Sequence, residues 1–417
     1  MTKRAFFNLY NHGFIRTALC IPSVRVADPL FNAEQTIDLA NRAAGEGAML
    51  ALFPELGMSA YSNDDLFHQE ALLKGVLTAL GHVVNASKRI PSTILVVGAP
   101  LCVGNRLFNC GIVINGGLIV GVAVKSYLPN YREFYESRQF SPAEEGLISA
   151  ISLCNQENVP FGNDLIFPVT TLRNFSLYIE ICEDLWVPIP PSSFAALAGA
   201  TVIGNLSASN ITVGKADYRH SLVSNQSART ISAYLYTAAG FGESTNDLAW
   251  DGHALIYENG TLKAESLRFS QEPQVIVADI DLDRLAQERM RMTSFGQNAR
   301  HHRQALSRFR QINITAPIPK KKLLLAEGPA RFPYVPADAS LRNQRCCEIY
   351  NIQATSLAKR LLASQSDNAV IGVSGGLDSA QALIVAARTM DLLGRPRTGI
   401  KAYTMPGFAT SDKTYRN

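Results

Sequence analysis

Short apolar runs alternate with amphipathic stretches along residues 14–283 of this 417-residue chain. Runs rich in Val, Ile and Leu predict buried strands, whereas stretches with apolar residues three or four positions apart predict helices. The predicted strands are 14–24, 49–55, 92–100, 108–117, 118–126, 177–181, 201–209, 253–260 and 274–282. The predicted helices are 33–47, 192–200 and 219–240. This alternation favours a layered α/β domain, which we place at residues 1–310. The turn Asn115-Gly116-Gly117 predicts a β-hairpin.

A change of composition marks the end of this domain. Residues 311–340 hold five prolines and no sustained periodicity, which predicts a linker. In residues 341–417 the pattern predicts, in order, a helix over 341–364, a strand over 368–373, a helix over 379–393 and a strand over 399–406. The last three form one βαβ unit, the beginning of a doubly wound parallel α/β nucleotide-binding domain. We expect only the first part of that domain within the 417 residues.

Composition and charge narrow the class of protein. A hydrophobic content of 47% and a charged content of 18% are typical of a protein with a large buried core. The net charge of +4 gives no electrostatic support for a nucleic-acid or membrane-surface partner. Seven irregularly spaced cysteines without a CxxC pair predict reduced thiols and a cytoplasmic location. No apolar window is long enough for a transmembrane helix, and the first residues do not resemble a secretory signal.

The stretch SLYIEICEDLWVP (176–188) places Cys182 at the end of a predicted strand, among Glu180, Glu183 and Asp184. A cysteine with a pKa near 8.5 is mostly protonated at neutral pH, and nearby carboxylates disfavour the thiolate further. Cys182 is therefore either an inert core residue or a nucleophile that receives a cation and a proton acceptor from elsewhere in the chain.

Two other predicted strands end in groups that could help the thiol. Glu55 follows the strand in ALFPE (51–55), and Lys125 follows the strand in GVAVK (121–125). Polar groups at the carboxyl ends of strands build the sites of layered α/β proteins. Each residue also has a structural reading, since Glu55 could cap a following turn and Lys125 could protect an edge strand.

A glycine-rich turn in VIGVSGGLDSA (370–380) predicts a phosphate-binding loop. It follows an apolar strand and opens a helix, so backbone N–H groups and the helix dipole favour an anion there. Gly375 and Gly376 allow close approach of a phosphate, and Ser374 and Ser379 add hydroxyl donors. No Gly-Lys-Ser/Thr follows, so the loop is not a Walker A motif. The alternative is an ordinary tight turn between strand and helix.

Glu55, Lys125 and Cys182, within FPELG (53–57), KSYLPNYREFYE (125–136) and EICEDLW (180–186), resemble the catalytic triad of the nitrilase (carbon–nitrogen hydrolase) superfamily. The resemblance covers about residues 14–300. It implies an α-β-β-α sandwich, a cysteine-dependent amide hydrolysis without a metal or cofactor, and a supporting role for Glu136 in orienting the lysine. The residues that it places at a bound glutamine are Tyr61, Tyr131, Ser209 and Lys215.

The loop resembles the signature of the N-type ATP pyrophosphatases. In that family the loop holds pyrophosphate and its aspartate helps to place Mg²⁺. The resemblance therefore implies that Asp378 helps to place Mg²⁺, and it assigns ATP binding to Ser374, Gly375, Gly376, Leu377, Asp378 and Ser379. Ala380 departs from the threonine that is usual there. The segment 403–414 is also similar to the family's next motif.

The two resemblances, in this order, are typical of the glutamine-dependent NAD synthetase family. They imply that ammonia from glutamine amidates deamido-NAD at the expense of ATP, with AMP and pyrophosphate as by-products, and that the chain forms a homo-oligomer. We expect glutaminase activity from these residues, but not the complete synthesis. The alternatives are a nitrilase-type amidase for another amide or carbamoyl substrate, and a non-catalytic scaffold. His220 and the His301-His302 pair lack metal-ligand spacing.

Overall fold

The computed structural model describes residues 6–143, 148–328, 331–332, 334–336, 338–405, 407 and 411. The chain forms two compact units, Met1–Glu327 and Gly328–Asn417. Part of the segment predicted as a linker pairs with strands or loops of the first unit. Ile314 forms a bridge with Val169, and Leu323 forms one with Asn8. The segment therefore follows the surface of the first unit before the second unit begins.

The first unit consists of strands and helices that alternate along the chain. The strands are β1 (Phe14–Ile21), β2 (Leu50–Leu52), β3 (Ile94–Val103), β4 (Arg106–Asn115), β5 (Leu118–Val124), β6 (Ala150–Leu153), β7 (Gln156–Gly162), β8 (Leu165–Pro168), β9 (Ser176–Ile181), β10 (Val202–Ser207), β11 (Ala233–Ala238), β12 (Ala254–Glu258), β13 (Thr261–Glu265), β14 (Gln274–Asp281) and β15 (Arg310–Gln311). The helices are α1 (Pro29–Gly45), α2 (Glu70–Ser87), α3 (Pro191–Leu197), α4 (Lys215–Thr230), α5 (Leu282–Arg291), α6 (Thr293–His301) and α7 (Arg303–Leu306).

These strands form two sheets that pack face to face. One sheet has the order β14-β1-β2-β3-β4-β5-β7-β6, and the other has the order β13-β12-β11-β10-β9-β8-β15. A shared core joins their inner faces, with Leu52 and Val113 of the first sheet among Ile179 and Leu206 of the second. Separate cores attach α1 and α2 to the first sheet and α3 and α4 to the second. The predicted α-β-β-α sandwich is confirmed.

The predicted hairpin is confirmed with its turn chemistry. Asn115 pairs with Leu118, which leaves Gly116 and Gly117 as a two-residue loop between β4 and β5. Both glycines have positive φ angles, 58° and 88°. A turn with two such residues matches the twist of the strands that it joins, and glycine adopts it without strain.

The single helix predicted over 219–240 is wrong in its second half. Helix α4 ends at Thr230, and Ile231 takes a left-handed conformation with φ 44°. The chain then enters β11, which lies between β10 and β12 and is buried along its whole length. The β-branched and aromatic residues of ISAYLYTA (231–238) favour a strand, but the preceding helical periodicity concealed the change.

The second unit contains α8 (Ala339–Ala363), β16 (Ala369–Gly372), α9 (Leu377–Leu392) and β17 (Ile400–Tyr403). Strands β16 and β17 are parallel neighbours, and α9 connects them, which confirms the predicted βαβ unit. Most of the motif predicted at 403–414 lies outside the described residues. Among the helices described in both units, none has the length and hydropathy that a membrane crossing requires.

Candidate active site

Three strands from the two sheets deliver the predicted catalytic residues to one place. Lys125 directly follows β5 and Cys182 directly follows β9, while Glu55 lies three residues beyond β2. Strands β2 and β5 belong to the first sheet and β9 belongs to the second. The site therefore forms where the carboxyl ends of strands from both sheets meet.

Lys125 is the centre of a buried charge cluster. Its Nζ lies 2.6 Å from Oε1 of Glu55 and 2.8 Å from each carboxylate oxygen of Glu136. The lysine side chain is fully buried. Burial alone lowers the pKa of Lys125, but the charges of Glu136 and Glu55 outweigh it and raise that pKa well above its ordinary value. Lys125 is thus a permanent cation, and since β5 lies between β4 and β7 it protects no sheet edge.

Glu55 is held by three donors. Its Oε1 accepts hydrogen bonds from Lys125 and from Nδ2 of Asn109 at 2.7 Å, and its Oε2 accepts one from the backbone N–H of Ala208 at 2.7 Å. The alternative that the Glu55 side chain merely caps a turn is not supported, since its carboxylate accepts hydrogen bonds from groups 54, 70 and 153 residues away in sequence. A carboxylate fixed in this way suits a general base whose geometry must be constant.

Cys182 adopts a left-handed backbone conformation, with φ 45°, and only 6% of its surface is exposed. Burial and the charge of Glu55 raise the pKa of the thiol, and Lys125 opposes this without reversing it. The sequence predicted that Lys125 would favour the thiolate, and its influence has that direction but is outweighed. The thiol is therefore protonated at neutral pH, and a nucleophilic role requires a proton acceptor beside it.

The three carboxylates next to Cys182 in sequence are directed into other contacts. Glu180 accepts hydrogen bonds from the Tyr234 hydroxyl and from the N–H of Ser192. Glu183 accepts a hydrogen bond from the Tyr131 hydroxyl at 2.9 Å. The buried carboxylate of Asp184 accepts only backbone N–H groups. The negative field that the sequence suggested around the thiol is thus reduced by local partners.

Glu136 connects the cluster to Tyr61. The Tyr61 hydroxyl donates to Oε1 of Glu136 at 2.9 Å, and burial raises the pKa of Glu136 to about 7. The backbone N–H of Tyr61 donates in turn to Glu243 at 2.8 Å. Tyr61, predicted as a glutamine contact, therefore also holds the glutamate that contacts Lys125.

The other residues predicted at the glutamine lie around the thiol. Tyr131 is half exposed, and the thiol charge acts on it and on Lys215. Lys215, at the start of α4, donates to Oδ1 of Asn210 at 2.5 Å, and burial lowers its pKa. Ser209 is buried, and its carbonyl accepts a hydrogen bond from Arg219 at 2.8 Å. Tyr131 and Lys215 thus lie within electrostatic range of Cys182, and Ser209 contacts Arg219, on which Cys182 also acts.

Asn109 and Ala208, which hold Glu55, were not found by sequence reasoning. Asn109 lies within the apolar run of β4 and is fully buried. A lone amide inside such a run is a detectable signal, because a buried amide needs partners. Ala208 acts through its backbone N–H, for which the sequence carries no signal.

The loop that the sequence predicts to bind phosphate lies between β16 and α9 in the second unit. Gly375 has φ 73°, and Gly376 is the residue before α9. The N–H of Ser374 donates to Oγ of Ser379 at 3.2 Å, and that hydroxyl donates to the carbonyl of Gly376 at 3.1 Å. Asp378 lies in the first turn of α9, and Leu377 is largely exposed. Glycines, hydroxyls and a carboxylate at a helix start fit a phosphate group with an associated cation.

His220 has neighbours that its sequence spacing did not reveal. The donor atoms of His220, His253 and Glu265 lie within 4.8 Å of one another. Nη1 of Arg219 lies 3.4 Å from Nδ1 of His253. A guanidinium group only donates, so Nδ1 accepts and Nε2–H faces Glu265 at 3.0 Å. We therefore interpret this group as a hydrogen-bonded cluster.

Known proteins of similar sequence or structure share the fold described above. The sequence matches the carbon–nitrogen hydrolase family over residues 16–290. The solved glutamine-dependent NAD(+) synthetase from Cytophaga hutchinsonii is similar with a TM-score of 0.57 and 19% identity, over 96% of this chain and 62% of that one. The Acinetobacter baumannii synthetase, solved with ADP, is similar with a TM-score of 0.54 and 20% identity, over 97% of this chain and 61% of that one.

A relative of higher identity covers both units. The glutamine-dependent NAD(+) synthetase of Mycobacterium tuberculosis (strain ATCC 25618 / H37Rv) is 48% identical over 414 residues. The match includes 99% of this chain and 60% of the relative. The chain thus spans about three fifths of the length of the mycobacterial proteins that it matches.

Proposed function

The chain belongs to the carbon–nitrogen hydrolase family, and from this premise we propose that it releases ammonia from the side-chain amide of glutamine. The ammonia serves the ATP-dependent amidation of deamido-NAD, with AMP and pyrophosphate as by-products. The observation that carries the proposal is the buried Lys125, which contacts Glu55 and Glu136 beside Cys182. The 48% identity to glutamine-dependent NAD(+) synthetases supports glutamine as the amide.

The first half of the reaction forms a thioester. Glu55 accepts the proton of the Cys182 thiol while Sγ attacks the amide carbon of glutamine. The carbonyl oxygen becomes an oxyanion, and the ammonium group of Lys125 stabilises it. Removing one such donor costs about 3–4 kcal/mol in other enzymes. The carbon–nitrogen bond then breaks, and Glu55 gives its proton to the departing nitrogen, which leaves as ammonia.

The second half restores the enzyme. Glu55 accepts a proton from water, and the water oxygen attacks the γ-glutamyl thioester. The carbon–sulfur bond breaks, glutamate leaves, and Glu55 returns the proton to Cys182. General acid–base help of this kind contributes roughly 10²–10⁴-fold to a rate. Glu136 holds Lys125 in place throughout, since both of its oxygens lie 2.8 Å from Nζ.

Recognition of glutamine falls to the groups around the thiol. We assign its binding to Tyr61, Tyr131, Ser209 and Lys215, as the resemblance to the family implies. The positions of these residues support the assignment. Tyr61, Tyr131 and Lys215 all lie within electrostatic range of a negative charge on the Cys182 sulfur. The cation of Lys215 and the half-exposed hydroxyl of Tyr131 suit the α-carboxylate and the polar backbone of an amino acid.

The second unit supplies the nucleotide site in this proposal. The N–H groups and hydroxyls of Ser374, Gly375, Gly376 and Ser379, at the start of α9, would hold the phosphates of ATP, and Leu377 lies beside them. Asp378 would bind Mg²⁺, which supplies positive charge to the phosphates when bound. The solved Acinetobacter baumannii relative contains ADP. Free ammonia is mostly ammonium at neutral pH, which is a physical reason to join both sites in one chain. The homo-oligomeric state and the cytoplasmic location stay predictions.

Glutamine hydrolysis by the 417-residue chain tests the proposal. Ammonia and glutamate are measured with glutamine, asparagine, acetamide and an N-carbamoyl amino acid as substrates. We expect equal amounts of ammonia and glutamate, and a kcat/KM for glutamine at least about 10²-fold above that for the other amides. A preference for another substrate would favour the amidase alternative. Absence of hydrolysis with all of them would contradict both functions.

A further inference from the structure

Asp184 joins the two segments that carry Lys125 and Cys182. Its Oδ1 accepts hydrogen bonds from the N–H of Ser126 at 3.1 Å and from the N–H of Tyr127 at 2.9 Å. Its Oδ2 accepts one from the N–H of Ile181 at 3.0 Å and lies 3.4 Å from the N–H of Ser126. Both oxygens are therefore in use, each mainly with a different segment.

The N–H groups that donate to Asp184 belong to sequence neighbours of the two catalytic residues. Ser126 and Tyr127 directly follow Lys125, and Ile181 directly precedes Cys182. The lysine segment leaves the first sheet and the cysteine segment leaves the second. One carboxylate thus connects the two sheets at the point where the reacting groups are placed.

Local capping accounts for only one of these contacts. The bond between Asp184 and the N–H of Ile181 closes the short turn Cys182–Leu185. The bonds to Ser126 and Tyr127 span 58 and 57 residues of sequence and serve no turn. Only 1% of Asp184 is exposed. Burial and the charge of Glu180 raise the pKa of Asp184 well above its ordinary value, and the backbone N–H donors only partly oppose that rise.

We propose that Asp184 is a positioning residue that fixes the Cys182 thiol relative to the Lys125 ammonium group. This inference rests on the proposed function, because it assigns Asp184 a role in the same hydrolysis. The hydrogen bonds of the Asp184 carboxylate go to backbone N–H groups, so Asp184 acts through the two backbone segments. A displacement of about 1 Å between reacting groups can cost about 10²-fold in rate.

Two substitutions test how the two carboxylate oxygens of Asp184 contribute to the rate. Asp184→Asn keeps one acceptor oxygen and can hold one segment, whereas Asp184→Ala holds neither. We expect kcat for glutamine to fall about 10-fold in the asparagine variant and about 10²-fold in the alanine variant. KM should change less than threefold, since Tyr61, Ser209 and Lys215, three of the four assigned glutamine contacts, lie on other segments. All rates are normalised to the fraction of Cys182 that iodoacetamide alkylates, measured on its own peptide by mass spectrometry, because Cys102, Cys346 and Cys347 are exposed to the reagent as well.

The pH profile of Cys182 alkylation by iodoacetamide is a readout that needs no glutamine. The charged groups that act on this thiol in the described structure are Glu55, Lys125, Glu136, Lys215 and Arg219, together with the hydroxyls of three tyrosines. Displacement of Lys125 would raise the midpoint of the profile by about one pH unit. Asp184 is not one of these groups, so a neutral replacement that left Lys125 in place would leave the midpoint unchanged, and a rise indicates displacement of Lys125.

Asp279→Asn is the matched control. Asp279 is also a buried carboxylate, but it pairs with Arg16 and with the N–H of Ala326, outside the site. We expect this variant to lose stability in thermal unfolding and to keep the wild-type kcat and alkylation profile. The inference is overturned if both Asp184 variants keep the wild-type kcat per alkylated Cys182, or if their alkylation midpoints do not rise. A wild-type chain that hydrolyses no glutamine would contradict the proposed function, while the alkylation profile would still test Asp184.

Discussion

At the scale of single residues, Lys125 is an ammonium group that two carboxylates share in a fully buried position. A buried ion is tolerated only when it is paired, and removing one partner of such a pair typically costs about 3–5 kcal/mol. Burial of the Cys182 thiol and the charge of Glu55 outweigh Lys125, so the cluster does not ionise the thiol in advance, and ionised Glu136 adds a further negative charge. The cluster instead provides a proton acceptor in Glu55 and a cation for the oxyanion.

The free energy of unfolding should depend on pH through the ionisation of Glu136. Folding raises its pKa from 4.5 to about 7 by burial, so between these values the folded protein holds a proton that the unfolded chain has released. The contribution of this group to the free energy of unfolding is therefore present below pH 4.5 and declines as the pH rises to about 7. Glu136→Gln should remove this decline, measured by urea unfolding at a series of pH values.

The same ionisation should appear in activity. Only ionised Glu136 pairs fully with Lys125, so kcat/KM for glutamine should rise as the pH increases through about 7. Glu136→Gln should flatten this rise and lower kcat/KM. Glu157→Gln, an exposed glutamate on β7, serves as the control and should keep the wild-type profile. A rise that persists unchanged in Glu136→Gln would show that another group titrates.

The position of Glu55, Lys125 and Cys182 after apolar strands made them candidates, and the resemblance to the nitrilase superfamily identified them as a triad. Sequence reasoning could not predict what surrounds them, since the partners lie far away in sequence. Asn109 donates to Glu55 across 54 residues and the N–H of Ala208 across 153. Contacts between residues so far apart in sequence depend on how one sheet packs on the other. The local hydrophobic pattern does not predict that packing.

At the scale of elements, Gly98 of β3 lets the Glu55 segment approach the strand. A Cβ atom at Gly98 would lie 2.3 Å from the backbone N of Leu56 and 2.5 Å from the carbonyl oxygen of Pro54. Gly98→Ala should therefore displace Glu55 and lower kcat for glutamine by about 10²-fold. It should also reduce the free energy of unfolding by about 1–3 kcal/mol. Steady-state kinetics and urea unfolding measure the two effects.

Gly81→Ala is the control for this substitution. Gly81 lies within α2, and a Cβ atom there would meet nothing within 4 Å. Alanine should stabilise the helix by about 0.5–1 kcal/mol and leave kcat unchanged. If Gly98→Ala kept the wild-type kcat, the close approach of β3 would not position Glu55.

The loop before α9 allows a second test at this scale. Gly375 has φ 73°, and alanine in that conformation costs about 1–2 kcal/mol. Gly375→Ala should weaken ADP binding with Mg²⁺, measured by titration calorimetry. Gly394→Ala places the same strain at φ 64°, after the opposite end of α9, and should keep the wild-type affinity. Equal effects of both variants, or no ADP binding by the wild-type chain, would contradict the assignment of the loop.

Element boundaries show where the sequence was insufficient. The strand in ISAYLYTA (231–238) was predicted as helix because the periodicity of α4 runs into it without a proline or glycine. The break occurs at Ile231, in a left-handed conformation that a β-branched residue rarely adopts. Tertiary contacts of β11 with β10 and β12 impose this turn, so propensity alone could not locate it.

At the scale of the whole molecule, the fold class followed from the alternation of strands and helices, whereas the order of strands did not. Strands from the beginning and the end of the first unit, β1 and β14, pair along eight residues. The resemblance to a known family supplied the sandwich and the role of Glu136. The second unit was predicted as a βαβ segment because its strand, loop and helix adjoin in sequence.

Cys182 is the nucleophile of the proposed hydrolysis, and a covalent intermediate on its sulfur tests this role most directly. The 417-residue chain is mixed with glutamine, quenched with acid during turnover, digested and analysed by mass spectrometry. We predict a γ-glutamyl thioester on Cys182, no ammonia release by Cys182→Ala, and an unchanged thioester in Cys110→Ala, which removes another buried cysteine. Ammonia release by Cys182→Ala at the wild-type rate, or a glutamyl group on a different residue, would contradict this role.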